Sequence, residues 1–184
     1  MTPTATHPAR RTAPGTADRA RQLGFTLIEF LITMAVLVIT LGVAAPALGT
    51  FVSQNQAASI KSVFVSSVAL ARSEAARSGI QVVLQAGTGG VTGNEYGKGW
   101  DIYLDNDASG TVNSGDTLLR HYEALPTTVK LTGSATLVFN AKGYLTPSAN
   151  VAYSLCRADG SGTGYRVSLA PNGTAYTSSG AGCI

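Results

Sequence analysis

The chain has 184 residues, room for one modest domain besides any targeting segment, so a second catalytic domain is not expected. Charged residues make up 12% against a usual level of about 25%, and 21 glycines suit a β-rich head with many turns joined to an apolar segment. Residues 1–24 hold four of the 13 basic residues and one of the ten acidic ones, which leaves nine of each in the rest of the chain. A balance near zero gives no global electrostatic case for nucleic acid, whose binding relies on basic residues neutralising phosphates.

In chain order, residues 1–24 are rich in Thr, Ala, Pro and Arg and contain no apolar run, so they read as an unstructured basic leader. Phe25 to Leu48 then reads FTLIEFLITMAVLVITLGVAAPAL, a stretch with one charge. As a helix it would cross a hydrocarbon core of roughly 30 Å. Positive residues before it place that side in the cytoplasm and the remainder outside. An ordinary secretory signal is a rival reading, with a small-residue cleavage site between Gly42 and Ala47. It predicts a soluble secreted enzyme. Glu29 stands against it: a carboxylate this deep in an apolar run costs about 2.5 to 3.5 kcal/mol near the bilayer centre and is usually retained for a function.

The segment Gly24-Phe25-Thr26-Leu27-Ile28-Glu29 resembles the G-F-T-L-I-E processing motif of type IV pilins and of the pseudopilins of type II secretion. That resemblance implies cleavage between Gly24 and Phe25 by prepilin peptidase and N-methylation of the new amino terminus at Phe25. Glu29 becomes the fifth mature residue and the subunit-assembly residue. The physics agrees, because a carboxylate in an apolar setting needs a cationic partner and the amine of a neighbouring subunit could supply one. The implied partners are other pilins or pseudopilins, the peptidase, the inner-membrane assembly platform and the lipid bilayer. The implied location is the bacterial inner membrane, single-pass, with the C-terminal part in the periplasm and later in a filament. Pro46 removes one helical backbone bond, and pilins of this kind carry a kinking proline near this depth; alternatively Pro46 simply ends the membrane helix.

Beyond Leu48 the helical period continues, with Ile60, Val63, Phe64, Val68 and Ala71 at three- and four-residue steps and Gly79 suited to stop it. One long helix from about Thr26 to Ser78 is expected, lipid-facing in its first half and packed on a sheet in its second. Ala69-Leu70-Ala71-Arg72-Ser73-Glu74-Ala75 resembles the L-A-R-S-E-A segment of the GspH/FimT group of minor pseudopilins and minor pilins. Arg72 and Glu74 read as solvated face. After Gly79, short β-branched runs separated by Gly, Asn, Asp and Pro predict strands at 80–85, 100–104, 118–122, 127–131, 136–140, 151–156 and 165–169, with a last one near Ala175. The fold class is α+β and pilin-like: a leader (1–24), a transmembrane helix (25–48), and a periplasmic part of helix 49–78 and antiparallel β head 79–184.

Asp105 to Asp116 places oxygen-bearing side chains at loop positions 1, 3, 5, 7, 9 and 12 with Gly110 at 6, the spacing of a calcium loop. Asp105, Asp107, Ser109, Thr111 and Asp116 are the candidate ligands. Strands rather than helices flank it, Asp stands where a bidentate Glu is usual, and the same residue types make an ordinary hairpin turn. Cys156 and Cys183 lie in the extracytoplasmic part, where a disulfide between them would close the last 28 residues with roughly 3 kcal/mol of stabilisation; two buried free thiols are the alternative.

His121 is the sole histidine after the leader and, between Arg120 and Tyr122, reads as a surface or edge residue. No nucleophile elbow, dinucleotide fingerprint or phosphate loop is present, so an enzyme is not expected. Some FimT-type minor pilins are thought to capture DNA through basic residues near the C-terminus. Here Ala170 to Ile184 has no Lys or Arg, so phosphate contacts would fall to Arg157, Arg166, Lys142 or Lys130, and DNA is not the favoured partner. The sequence reading is a minor pilin or pseudopilin of a type II secretion pseudopilus or a type IV pilus.

Overall fold

The computed structural model describes residues 25–181, with backbone alone for 45–47 and 181. Helix α1 is Leu27–Ser78, one residue shorter at its start than the pattern predicts. The nine strands that follow are β1 (Gln81–Ala86), β2 (Trp100–Asp105), β3 (Thr117–Tyr122), β4 (Val129–Thr132), β5 (Thr136–Phe139), β6 (Leu145–Thr146), β7 (Val151–Arg157), β8 (Gly164–Leu169) and β9 (Ala175–Ala181), with a 3-10 turn at Glu95–Lys98. The chain divides into two compact units at Gly42/Val43.

In the first unit every described residue of the helix is exposed, Leu27, Ile28, Leu31, Val36 and Ile39 among them. In the second unit a stripe of α1, comprising Ala57, Phe64, Val68, Ala71 and Ala75, is buried in one hydrophobic core with residues of the sheets. Its steps of seven, four, three and four residues keep one helical face toward the core. Val63, which the sequence pattern places on that face, is instead 40% exposed. The core face starts from Ala57 and runs through Phe64, one residue round from Val63, because the aromatic ring fills the centre of the core. The helix ends as expected: Gly79 has φ +67°, and its N–H donates to the Ala75 carbonyl at 3.0 Å.

The head holds two antiparallel sheets where a single one was expected, in the orders β3-β2-β1-β5-β6 and β4-β7-β8-β9. The reason lies between β3 and β4. Pro126 cannot donate to a ladder, and its carbonyl accepts the Val129 N–H at 3.0 Å in a turn, so the strand predicted from Thr127 starts only at Val129. β4 then pairs with β7, Val129 opposite Arg157, and the chain returns to the first sheet as β5 beside β1. The crossover is fixed at Ser134, whose carbonyl accepts the Tyr96 hydroxyl at 2.8 Å and the Tyr153 hydroxyl at 3.2 Å. The two-residue β6 is too short to leave a period in the sequence and was not expected.

Phe64 holds the centre, with ring centroids 5.2 Å from Tyr96, 5.5 Å from Trp100 and 4.8 Å from Tyr153. Such edge-on pairs add about 0.5–1.5 kcal/mol each beyond the area they bury. Burial raises the phenols of Tyr96 and Tyr153 far above their ordinary pKa, so both remain neutral donors. The one indole is also satisfied: Trp100 Nε1 donates to Ser67 Oγ at 3.0 Å, and Ser67 donates onward to the Val63 carbonyl at 2.8 Å. Lys61 lies 4.5 Å from the Tyr165 ring centroid and ties the same helical half to β8.

Candidate functional site

The N-terminal segment is built as a capped helix. Thr26 stands immediately before α1, and its Oγ1 accepts the backbone N–H of Glu29 at 3.3 Å, satisfying one of the orphan donors of the first turn. Thr26 and Glu29 thus have the T-x-x-E spacing of a capping box, a signal present in the sequence but passed over there in favour of the processing motif. Glu29 in the first turn also sits where the helix dipole favours a negative charge. Its side chain is exposed, and among the described residues it has no ion pair.

Phe25 is 84% exposed. From Leu27 to Leu48 a helix rising about 1.5 Å per residue is about 33 Å long, enough to cross a hydrocarbon core. This helix is the one element among the described residues that is long and apolar enough to do so. Gly24 and Cys183 lie outside the described residues, as does the side chain of Pro46.

The acidic loop joins β2 to β3 and is flanked by strands, as its sequence implies. Ligand oxygens of Asp105, Asp107 and Asp116 lie within 4.8 Å of one another. Asp105 is fully buried: Oδ1 accepts the Ser109 N–H at 3.1 Å, and Oδ2 accepts the Gly110 N–H at 2.7 Å and Gln81 Nε2 at 2.9 Å. Asp116 accepts the backbone N–H groups of Asn106 at 3.1 Å and Asn113 at 2.8 Å. Hydrogen bonding by Ser109, with Asp105 next, holds the Asp107 carboxyl below its ordinary pKa. Ser109 and Thr111 turn toward each other, Ser109 Oγ donating to the Thr111 carbonyl at 2.9 Å. The loop is therefore fixed by its own backbone amides together with Gln81 of β1.

Of the basic residues considered for DNA, Lys130 and Arg157 line one groove with Asp159, while Arg166 lies on β8 and Lys142 in the turn before β6. Arg166 on β8 is opposite Ser154 of β7, on the pleat position shared with Lys130 and Cys156, whereas Arg157 is opposite buried Val129 on the other pleat position. Arg157 is also engaged, donating to Asp159 Oδ2 at 2.8 Å. His121 lies on β3, an edge strand, with Nδ1 2.6 Å from Asp101 Oδ1 and Nε2 3.6 Å from Glu123 Oε1. The hydrogen bond to Asp101 raises its pKa.

A capped helix, exposed and apolar at first and then amphipathic onto antiparallel sheets, defines a pilin-like subunit. The family model of type II transport protein GspH matches residues 62–173, and that of the prokaryotic N-terminal methylation motif matches residues 19–45. The first match spans more than half of the chain, and the chain belongs to the GspH family. Family and fold are those of minor pilin and pseudopilin subunits. The crystal structure of the type IV minor pilin FimU from Pseudomonas aeruginosa is similar, with a TM-score of 0.56 and 22% identity over 73% of this chain and 99% of that one. Another crystal form of FimU gives 0.52 and 23% over 71% and 99%. The minor pseudopilin EpsH of the type 2 secretion system of Vibrio cholerae is 14% identical over 67% of this chain and 96% of that one, with a TM-score of 0.49. No curated protein sequence matches the chain.

Proposed function

We propose that this minor pilin or pseudopilin is made as a precursor, cut between Gly24 and Phe25 by prepilin peptidase and N-methylated at Phe25. It is then held in the bacterial inner membrane by the helix through Leu48, with its head in the periplasm. From there the assembly platform adds it to a type II secretion pseudopilus or a type IV pilus. Glu29 pairs with the Phe25 amine of a neighbouring subunit, and Pro46 bends the membrane half of the helix. The observation that carries this reading is the Thr26–Glu29 cap at the head of an exposed apolar helix, within the processing motif itself. The dipole of this first helical turn favours the Glu29 carboxylate, whose exposed side chain can meet a cationic partner.

Intact mass and N-terminal sequence of the protein from membranes, with and without prepilin peptidase, test it. The expected product starts at Phe25, is one methyl group heavier than the cleaved chain, and depends on the peptidase. A soluble protein starting near Leu48 would overturn the reading and reopen that of a secreted product. The same spectrum tests a proposed Cys156–Cys183 disulfide, for which the absence of a free cysteine among the described residues is the support; a mass two hydrogens lighter, with no thiol reacting with alkylating reagent, is expected. We further propose calcium as a ligand of the acidic loop, supported by the approach of its three carboxylates. Calcium should raise the melting temperature of the wild-type protein and leave the D107N variant unmoved; equal melting with and without calcium would remove the ion.

A further inference from the structure

On the head-packing half of α1, a groove of about 380 Å³ has Val65, Val68, Ala69 and Ala76 along one wall and the turn around Gly173 along the other. It carries two cations, Arg72 and Lys142, and no carboxylate. Neither cation has an ion pair among the described residues.

Arg72 is not the loose surface charge that its exposure suggests, because its stem is seated by two turns. A Cβ on Gly143 would lie 3.2 Å from Arg72 Cγ, and one on Gly173 would lie 3.0 Å from Arg72 Cδ and 2.7 Å from the Gly143 carbonyl oxygen. Both glycines have positive φ, and both turns are closed, Gly143 N–H to the Asn140 carbonyl at 2.7 Å and Gly173 N–H to that of Ala170 at 2.8 Å. The Leu145 N–H donates to the Pro171 carbonyl at 2.9 Å and ties the turns together. Asn140 Oδ1 accepts the N–H of Lys142 at 3.0 Å, fixing the backbone that carries the second cation. At the far end of Arg72, Nη1 is 3.4 Å from Thr174 Oγ1, a weak contact that leaves most of the guanidinium's five donors for a ligand.

We propose that this groove is a docking site for an acidic surface segment of a neighbouring filament subunit, with Arg72 and Lys142 gripping its carboxylate and the alanine and valine wall receiving its apolar neighbours. Charge complementarity decides the occupant: a pre-seated guanidinium beside an ammonium, on an apolar floor without competing acid, is matched by a carboxylate flanked by apolar side chains. Pre-seating lowers the ordering cost of binding, which two free surface lysines would not. The inference rests on the assembly reading above, since it takes its partner from the filament.

The test is photo-crosslinking in cells that make the full set of filament subunits, with a photoreactive residue in the full-length chain at exposed Ala76 and, separately, at Leu31 in the apolar half. Crosslinks from position 76 should map to a segment of another pilin-type subunit containing Asp or Glu. They should fall about tenfold or more in R72E and in K142E, as expected when a charge-assisted pair is reversed. K142E leaves the seated Arg72 stem intact, so it reports charge even if R72E disturbs the turns; circular dichroism identifies that disturbance. Crosslinks that map to a segment without acid, that attach to nucleic acid, or that persist in K142E overturn the proposal. Crosslinks from Leu31 but none from position 76 overturn it while leaving filament assembly standing; none from either position removes the assembly reading and the groove with it.

Discussion

Two stretches of the same helix solve different problems with almost the same residues. From Leu27 to Leu41 the side chains are apolar or Thr on every side except for Glu29, and all are exposed. From Ala57 to Ala75 the apolar residues narrow to one buried stripe in which alanine takes three of five positions and Phe64 is the one aromatic. A helix apolar all round fits a solvent that is itself apolar, whereas a striped one fits an interface between a core and water. Continuous helix formation is indifferent to the change of environment, because backbone hydrogen bonds close within the segment in both.

The largest way to break the comparison is at Glu29, the one charge in the apolar half. E29Q leaves the Thr26 cap on the backbone N–H of residue 29 in place and removes the charge, so membrane retention and helix content should be unchanged while incorporation into filaments falls by about tenfold or more, as expected for a desolvated ion pair that loses one partner. Counting the variant in sheared filaments against membranes checks this, and wild-type incorporation of E29Q would refute the pairing. Next comes a matched pair of truncations in the full-length protein in detergent. F64A should lose about 3–5 kcal/mol through the cavity left among Tyr96, Trp100 and Tyr153, while L31A should leave thermal unfolding of the head unmoved. Comparable losses at both positions would show that the apolar half is packed into the head.

A smaller effect sharpens the striped half. S67A leaves the buried Trp100 N–H without its acceptor and should cost about 1–3 kcal/mol, with a shift in tryptophan fluorescence reporting the altered indole environment. The smallest concerns the edge of the five-stranded sheet. His121 has its folded pKa raised by Asp101, so its pairing contributes fully below the ordinary histidine value of about 6.5 and is lost as pH rises through the folded value. An NMR titration should place the His121 midpoint above the ordinary value in the wild type and lower in D101N; coincident midpoints would show the contact to be absent in solution.

The apolar half of α1 was legible in the sequence because its signals are local. Gly24 to Glu29 form one short motif, the apolar run is unbroken, and Gly79 marks the stop of α1. Strand positions were legible for the same reason, since β-branched runs between turn residues announce themselves within six or seven residues. The calcium spacing of Asp105 to Asp116 was visible too, but not that Asp105 would be wholly buried and held by Gln81 from β1. Thr26 as a cap was missed although its spacing was in plain view.

By itself, the sequence determined one helix with an apolar half, a string of antiparallel strands and an N-terminal methylation-type motif, since each depends on neighbours a few residues apart. Tertiary structure alone decided that the strands divide into two sheets, that Phe64 rather than Val63 faces the core, that Arg157 and Arg166 lie on opposite pleat positions, and that Arg72 is seated by Gly143 and Gly173. These depend on which distant strand pairs with which. That choice is made by the fit of aromatic side chains in a shared core and by the closing of turns some 70 to 100 residues from the helix they touch, contacts that leave no period in the chain.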